Sequence, residues 1–456
     1  MHRPYKTPIV KAFPDIKISD HGISKFVISF CRPLGKLYLR FFIGVTRIVL
    51  QGEPHLFDAF RRALAGESRC IIAFRHPNGA EPQVLSWFFL YRLKSLAAKS
   101  GVKFARRPHA VFVYGYEVAR WGGAFIRYIM SNLGAMPIHH YKMDSEGLDR
   151  ICKAIADGPY PVAMAPEGQV SYTSDAVPRL EPGLVRIGFF AAQRLEAKNI
   201  NCPVEILPVS VHFRYGSMSS AERLLRRVEK LTQGQQMTGK NPEQKEKPSF
   251  TERLERCRNH ILEINETRYQ IVGDASLSFE ERLEKVINAA LETAERMIGV
   301  KSEGEFFFRI YRLRQYCWDR IFLPGVDTLE GMSRIERSTI DLQAGEVWYI
   351  ARHQELVDFC WYFWVPLPAE DTAFHNKVEY VQNLWDFANR TMGGAYSDRV
   401  SIFARKVIIQ AAPVINLSER LPEYQKDRKN AVTRAMGDLE KSFNDCISEV
   451  DKLGLG

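Results

Sequence analysis

Residues 70–89, CIIAFRHPNGAEPQVLSWFF, decide the reading of the fold. The apolar run Cys70–Phe74 is too short for an independent helix and reads as a buried strand, which ends at Arg75-His76. Glu81 follows His76 by five residues, where a helical period begins. The same texture extends in both directions. RIVLQG (47–52), AVFVYG (110–115), PVAMAP (161–166) and EILPVSV (205–211) also read as buried strands, with helical stretches near 55–65, 82–99, 119–133, 145–157 and 183–197. This alternation predicts an α/β domain over residues 48–215.

The strand end at His76 carries chemistry as well as architecture. A carboxylate about one turn onward can orient an imidazole and make it more basic, so His76 held by Glu81 could take a proton from an alcohol at neutral pH. A surface ion pair is the simpler use of the same spacing. A second match occurs in VWYIARHQELVDFCWYFW (347–364), where VWYIA reads as a strand and His353 precedes Asp358 by five residues. That segment reads as a chance ion pair, a degenerate second copy or a second working site.

The chain has 456 residues, 46% hydrophobic and 25% charged, which excludes wholesale disorder and allows more than one core. The expectation is an intracellular protein, because no run of about 18 apolar residues occurs and MHRPYKTPIVKAFPDIKISD lacks a secretory pattern. Eight cysteines scattered singly argue for buried thiols rather than a disulfide framework or a zinc site, and no metal is expected. The net charge of +10 is uneven: residues 1–62 hold eleven Lys or Arg against four Asp or Glu. Within 23–50, ISKFVISFCRPLGKLYLRFFIGVTRIVL, cations recur among aromatic and aliphatic residues. Pro33 is expected to divide this stretch into two short helices. Residues 1–47 then form a basic amphipathic segment that either lies in an anionic membrane interface or packs on the following domain.

Residues 216–304 read as a charged linker, QGQQMTGKNPEQKEKPS, followed by an antiparallel helical hairpin; Ser249/Glu252 and Ser278/Glu281 have capping-box spacing. Residues 305–456 are mixed. KVIIQAAPVINL (406–417) reads as strands and 430–453 as a terminal amphipathic helix. This region is either a C-terminal α+β extension, in which GGAYSDR (393–399) and AAPVINL (411–417) echo the motifs of a degenerate repeat, or the close of one core interrupted by a helical insertion.

Four segments occur in order: His76 with Glu81, GAMPIHHYKMD (134–144), PVAMAPEGQVS (161–171) with Glu167-Gly168, and EILPVSV with Pro208. In this order and spacing, residues 45–215 resemble the glycerolipid acyltransferase family, which contains lysophosphatidate and glycerol-3-phosphate acyltransferases. The departures are specific. Glu81 stands for the family's Asp, His140 for an Arg, and Gln169-Val170 for a Thr-Arg pair. The resemblance implies a mixed sheet flanked by helices and transfer of a fatty acyl group from acyl-CoA or acyl-carrier protein to a hydroxyl of a lysophospholipid or related glycerolipid. His76 would be the general base, steadied by Glu81. Backbone amides at Asn78–Ala80 or Gly168 would stabilise the oxyanion, and Glu167-Gly168 would contact the acceptor. Arg75, His140, Lys142 and Arg179 would supply positive charge near a phosphate or CoA. No cofactor is implied beyond the acyl donor as co-substrate. The expected partners are the donor, the lipid acceptor and an anionic membrane, with the protein peripheral or monotopic on its cytoplasmic side. The alternatives are a non-catalytic lipid-binding or scaffold protein and a thioesterase-like hydrolase. Nucleic acid is not expected, since no zinc finger, aromatic-basic RNA motif or helix-turn-helix signature accompanies the charge.

Overall fold

A computed structural model describes residues 10–15, 22–116, 118, 123–139, 144–233, 248–274, 276–363, 365–394, 399–400 and 402–454. The strands in chain order are β1 (Phe13–Pro14), β2 (Arg47–Gln51), β3 (Arg69–Phe74), β4 (Val111–Gly115), β5 (Met136–Ile138), β6 (Val162–Met164), β7 (Val204–Tyr215), β8 (Phe322–Leu323), β9 (Ala404–Ala411) and β10 (Ile415–Asn416). Eight of them form one mixed sheet in the order β2-β9-β7-β3-β6-β4-β5, with β10 pairing the start of β7. β3 runs parallel to both β6 and β7, whereas β7 and β9 are antiparallel. Helices cover both faces of this sheet, which is therefore an α/β fold. One apolar cluster joins β3 and β7 residues to the helices Glu53–Ala65 and Glu81–Trp87. The other joins them to Ser145–Asp157, Gly183–Ala197 and Arg428–Lys452.

β7 is the spine of the sheet, and all twelve of its residues are buried. Pro208 sits in its middle without an N–H to donate, a position that central strands normally exclude. It is tolerated because the neighbouring edge changes there from β10 to β9, and its carbonyl still accepts from the Ala412 amide at 3.0 Å. β9 inserts between β2 and β7. Residues 48–215 therefore do not close the sheet by themselves; strands from beyond residue 400 complete it, with the helices between Ser219 and Thr391 interposed in the chain.

Several expectations are corrected. Lys25–Phe41 is one helix that runs through Pro33. The missing Pro33 N–H costs only the partner of the Ser29 carbonyl, and both residues are exposed, so water can serve it. VWYIA is not a strand but part of the 29-residue helix Arg334–Tyr362. β5 and the helix Ser219–Gln233 were not anticipated. Both capping boxes are present at the helices Phe250–Arg268 and Phe279–Met297, with Ser249 and Ser278 accepting from the N3 amides. Most of the linker, residues 234–247, and the centre of GGAYSDR lie outside the described residues. All eight cysteines are free thiols, and seven are buried.

Candidate active site

β3 and β6 are parallel neighbours, so the segments leaving their carboxyl ends emerge side by side, where open α/β sheets hold ligands. His76 leaves β3 there. The Arg75 amide bonds the Val209 carbonyl of β7 at 3.0 Å, and the His76 carbonyl accepts from the Ser171 amide at 2.9 Å. The backbone of His76 is thus fixed between β7 and the loop that follows β6.

The imidazole is equally constrained. Its Nδ1 lies 2.7 Å from Glu81 Oε2, with the His76 side chain 21% exposed and that of Glu81 fully buried. The same carboxylate accepts the backbone N–H of Asn78 at 2.6 Å and of Gly79 at 2.8 Å. Gly79 reaches this geometry with φ +96°, a region that suits glycine. Glu81 therefore accepts three hydrogen bonds at the first residue of its helix. Burial opposes a charge on His76, but Glu81, by its field and hydrogen bond, and then Glu167 outweigh it, so the His76 pKa is raised; Arg399 acts in the opposite sense. With Nδ1–H donating to Glu81, Nε2 carries the ring's free lone pair.

The other expected site residues are arranged differently. Arg75 and Glu167 bond each other, and neither side chain is exposed. Arg75 Nη2 also donates to the carbonyls of Thr173 and Ala176, both at 2.6 Å. These two residues, expected to contact substrate, are turned into the protein and clamp the loop after β6 to the end of β3. Gly168 has φ +73° in the turn of that loop, and a Cβ there would lie 2.7 Å from Glu181. Its amide donates to the Ala165 carbonyl at 3.3 Å. The Asn78, Gly79 and Gly168 amides, expected to stabilise an oxyanion, are thus already engaged. Arg179 is exposed on the loop before the helix Gly183–Ala197, its guanidinium 5.0 Å and 4.9 Å from the ring centres of Phe307 and Trp361. His140 and Lys142 lie outside the described residues.

His353 and Asp358 do not form a second site. His353 Nδ1 meets the Tyr269 hydroxyl at 2.8 Å, while Asp358 accepts from Arg314 at 2.7 Å and from Gln354. Five positions along a helix place two side chains about 140° apart, so the spacing that works across a strand-to-helix junction fails within the helix Arg334–Tyr362.

What the sequence reading missed is the support behind the loop. The helix Phe374–Thr391 is buried from Lys377 to its end, despite many polar residues. Glu379 accepts from the Ser174 amide at 2.8 Å, and Asn383 donates to the Ser171 and Tyr172 carbonyls at 3.1 Å and 3.3 Å. Asp386 holds Arg399 Nε at 2.7 Å, and Arg399 Nη2 donates to the Val170 carbonyl at 3.0 Å. Tyr172, with φ +48°, is kept in the left-handed region among these bonds. Behind the loop, Asp175 binds His212, which in turn meets Ser210 at 2.9 Å. That series has the side-chain order of a nucleophilic triad, yet Ser210 and His212 are fully buried and present nothing to solvent. Burial raises the Glu379 pKa, reinforced by Asp175, whose own pKa is lowered because His212, His375 and Arg214 overcome its desolvation.

No family model, curated protein or solved structure matches the chain.

Proposed function

We propose that the chain is an O-acyltransferase that moves a fatty acyl group from acyl-CoA or acyl-carrier protein to a hydroxyl of a lysophospholipid or related glycerolipid. The single observation that carries this reading is the half-buried His76 held through Nδ1 by the fully buried Glu81. His76 Nε2 takes the proton of the acceptor hydroxyl as its oxygen forms a bond to the thioester carbonyl carbon. The tetrahedral intermediate collapses by breaking the carbon–sulfur bond, and the departing thiolate takes the proton from Nε2. The sheet with glycerolipid-acyltransferase-like motif order at its carboxyl ends is consistent with that chemistry.

The same reading places the protein peripherally on the cytoplasmic side of a membrane. Among the described residues no helix is long and apolar enough to cross one. The helix Lys25–Phe41 supports surface attachment, with exposed Phe26, Phe30, Leu37 and Phe41 and no acidic residue.

One observation favours a second reading, a lipid-binding protein without turnover: of the amides expected at an oxyanion, those of Asn78, Gly79 and Gly168 already have acceptors. A single experiment separates the two. Purified protein is incubated with radiolabelled acyl-CoA or acyl-carrier protein and a panel of lyso-lipids, and products are resolved as diacyl lipid or free fatty acid. Diacyl product that disappears in His76→Ala supports the transferase; free fatty acid alone identifies a hydrolase. Lipid binding with neither product leaves the non-catalytic reading.

A further inference from the structure

The exposed residues of Lys25–Phe41 form a regular stripe. Phe26, Phe30, Leu34, Leu37 and Phe41 follow the spacing of one helical face, and Phe26 and Phe41 are 77% and 68% exposed. Val27, Ile28 and Leu39 on the opposite side are buried against the protein. This helix does not stand alone. At its start, Ile23 bridges Leu133, and the Ser24 amide donates to the Asn132 carbonyl at 2.8 Å. The helix Gly123–Asn132 therefore ends where the first begins, and it too is apolar on its outside. Phe125 is 71% and Tyr128 59% exposed, with Ile126 exposed between them.

The charges around these helices share one sign. Lys25, Arg32, Lys36 and Arg40 lie on the first helix and Arg127 on the second, and neither helix contains Asp or Glu. Arg107 reaches across to the first helix, donating to Ser29 at 2.8 Å and to the Lys25 carbonyl at 3.2 Å. Lys94 stands in the same neighbourhood, its pKa lowered first by burial and then by Arg32 and Arg107. Such a concentration of cations beside bare aromatic rings complements a surface that is apolar within and anionic at its rim.

We propose that the helix Gly123–Asn132 is a second membrane-contact element, which together with Lys25–Phe41 forms a two-helix docking face for an anionic bilayer. The inference rests on the peripheral membrane reading above and extends it to a segment some 80 residues further along the chain. Two elements fix an orientation where one would allow the protein to roll about its axis.

The test uses full-length protein and sedimentation with vesicles of phosphatidylcholine alone or mixed with phosphatidylglycerol at 3:1. Wild type is expected to prefer the mixed vesicles and to release with added salt. Phe125→Ser/Tyr128→Ser is expected to lower the partition coefficient by about tenfold or more, as is Phe26→Ser/Phe30→Ser, and combining all four to abolish binding. Circular dichroism and thermal unfolding matched to wild type establish that the variants are folded. Loss of binding in the Phe26/Phe30 variant with unchanged binding in the Phe125/Tyr128 variant overturns the second contact while preserving membrane association. Failure of wild type to bind either vesicle overturns both. Light scattering that shows a dimer dispersed by Phe125→Ser/Tyr128→Ser would assign the face to a second copy of the chain and overturn the proposal.

Discussion

Replacing Glu81 by Gln tests the link between the His76 geometry and its chemistry. The carboxylate accepts three hydrogen bonds: Asn78 N–H on Oε1, Gly79 N–H on Oε2, and His76 Nδ1 on Oε2. A glutamine can put its oxygen on the side of Gly79 and His76 and lose only the Asn78 bond, or do the reverse and lose two. The first orientation is favoured, so the imidazole keeps its tautomer but loses the negative charge that stabilises its protonated form. The unsatisfied Asn78 amide costs about 1–3 kcal/mol of stability. The reaction loses on the order of 10²–10³-fold in kcat/KM, within the range that a positioned general base supplies.

The pH profile distinguishes this from general damage. In wild type the acid limb of kcat/KM reports a His76 pKa raised above the ordinary 6.5, because Glu81 and Glu167 outweigh burial. Without the Glu81 charge, burial and Arg399 favour the neutral ring, and the limb moves to lower pH. Stability follows the same sign. A folded-state pKa above 6.5 means that protonated His76 stabilises the fold below that pH, and the increment fades as pH rises through the raised value. The advantage of wild type over Glu81→Gln is therefore larger at pH 6 than at pH 9. Glu81→Asp keeps the charge and withdraws it by about 1.5 Å. It should lose only about tenfold in rate and retain the raised limb. The assay is acyl transfer to one lyso-lipid from pH 5 to 9. An acid limb that stays in place in Glu81→Gln would falsify the assignment of His76 as the titrating base.

Four further outcomes are expected. His76→Ala should remove acyl transfer yet shift thermal unfolding little, since its ring is partly exposed; a rate equal to wild type would end the catalytic assignment. Arg75→Met leaves Glu167 buried without its cation and should cost about 3–5 kcal/mol in denaturant unfolding, much of it recovered in Arg75→Met/Glu167→Gln. Glu379→Gln removes an acid whose folded-state pKa is raised to about 8, so wild type loses stability relative to the variant as pH rises from about 5 to 8. A constant difference in Tm over that interval would refute the assignment. Gly168→Ala places a side chain at φ +73° against Glu181 and should cost about 1–2 kcal/mol, measured by denaturant unfolding.

Local signals made part of this structure legible. The runs around Ile71, Val113, Ala163 and Leu207 are short, apolar and bounded by breakers, and each is a strand. His76 and Glu81 could be paired on paper because the chain between them is only a strand end and the first turn of a helix. The same spacing at His353 and Asp358 misled, since VWYIA is as apolar as a strand but continues a helix already capped at Ser333. Arg75 and Glu167 illustrate a different limit. Both are expected site residues by type and place in the motifs, but whether a charged side chain turns outward or into the protein depends on a partner 92 positions away. Phe374–Thr391 was illegible for a related reason. Its polar residues carry no local sign of burial, and they are buried because the loop after β6 offers amides and carbonyls that need partners.

These long-range contacts explain why the C-terminal half of the chain belongs to the site. The loop after β6 carries Glu167 and Gly168, bonds the His76 carbonyl through Ser171, and contains the left-handed Tyr172. Left to itself, so irregular a segment would sample many conformations. Arg75 fixes it from β3, and Glu379, Asn383 and Arg399 fix it from the interposed helices. β9 then returns the chain between β2 and β7, anchoring those helices to the sheet they brace. The amino-terminal helix packs on the helical run that carries Glu81. The Tyr91 hydroxyl donates to the Arg32 carbonyl, and Tyr91 lies in the helical run that starts at Glu81. Ten residues of helix span about 15 Å. Glu81 and the Tyr91 contact with Lys25–Phe41 therefore lie about 15 Å apart along one helical run, so the amino-terminal helix braces the element that orients His76.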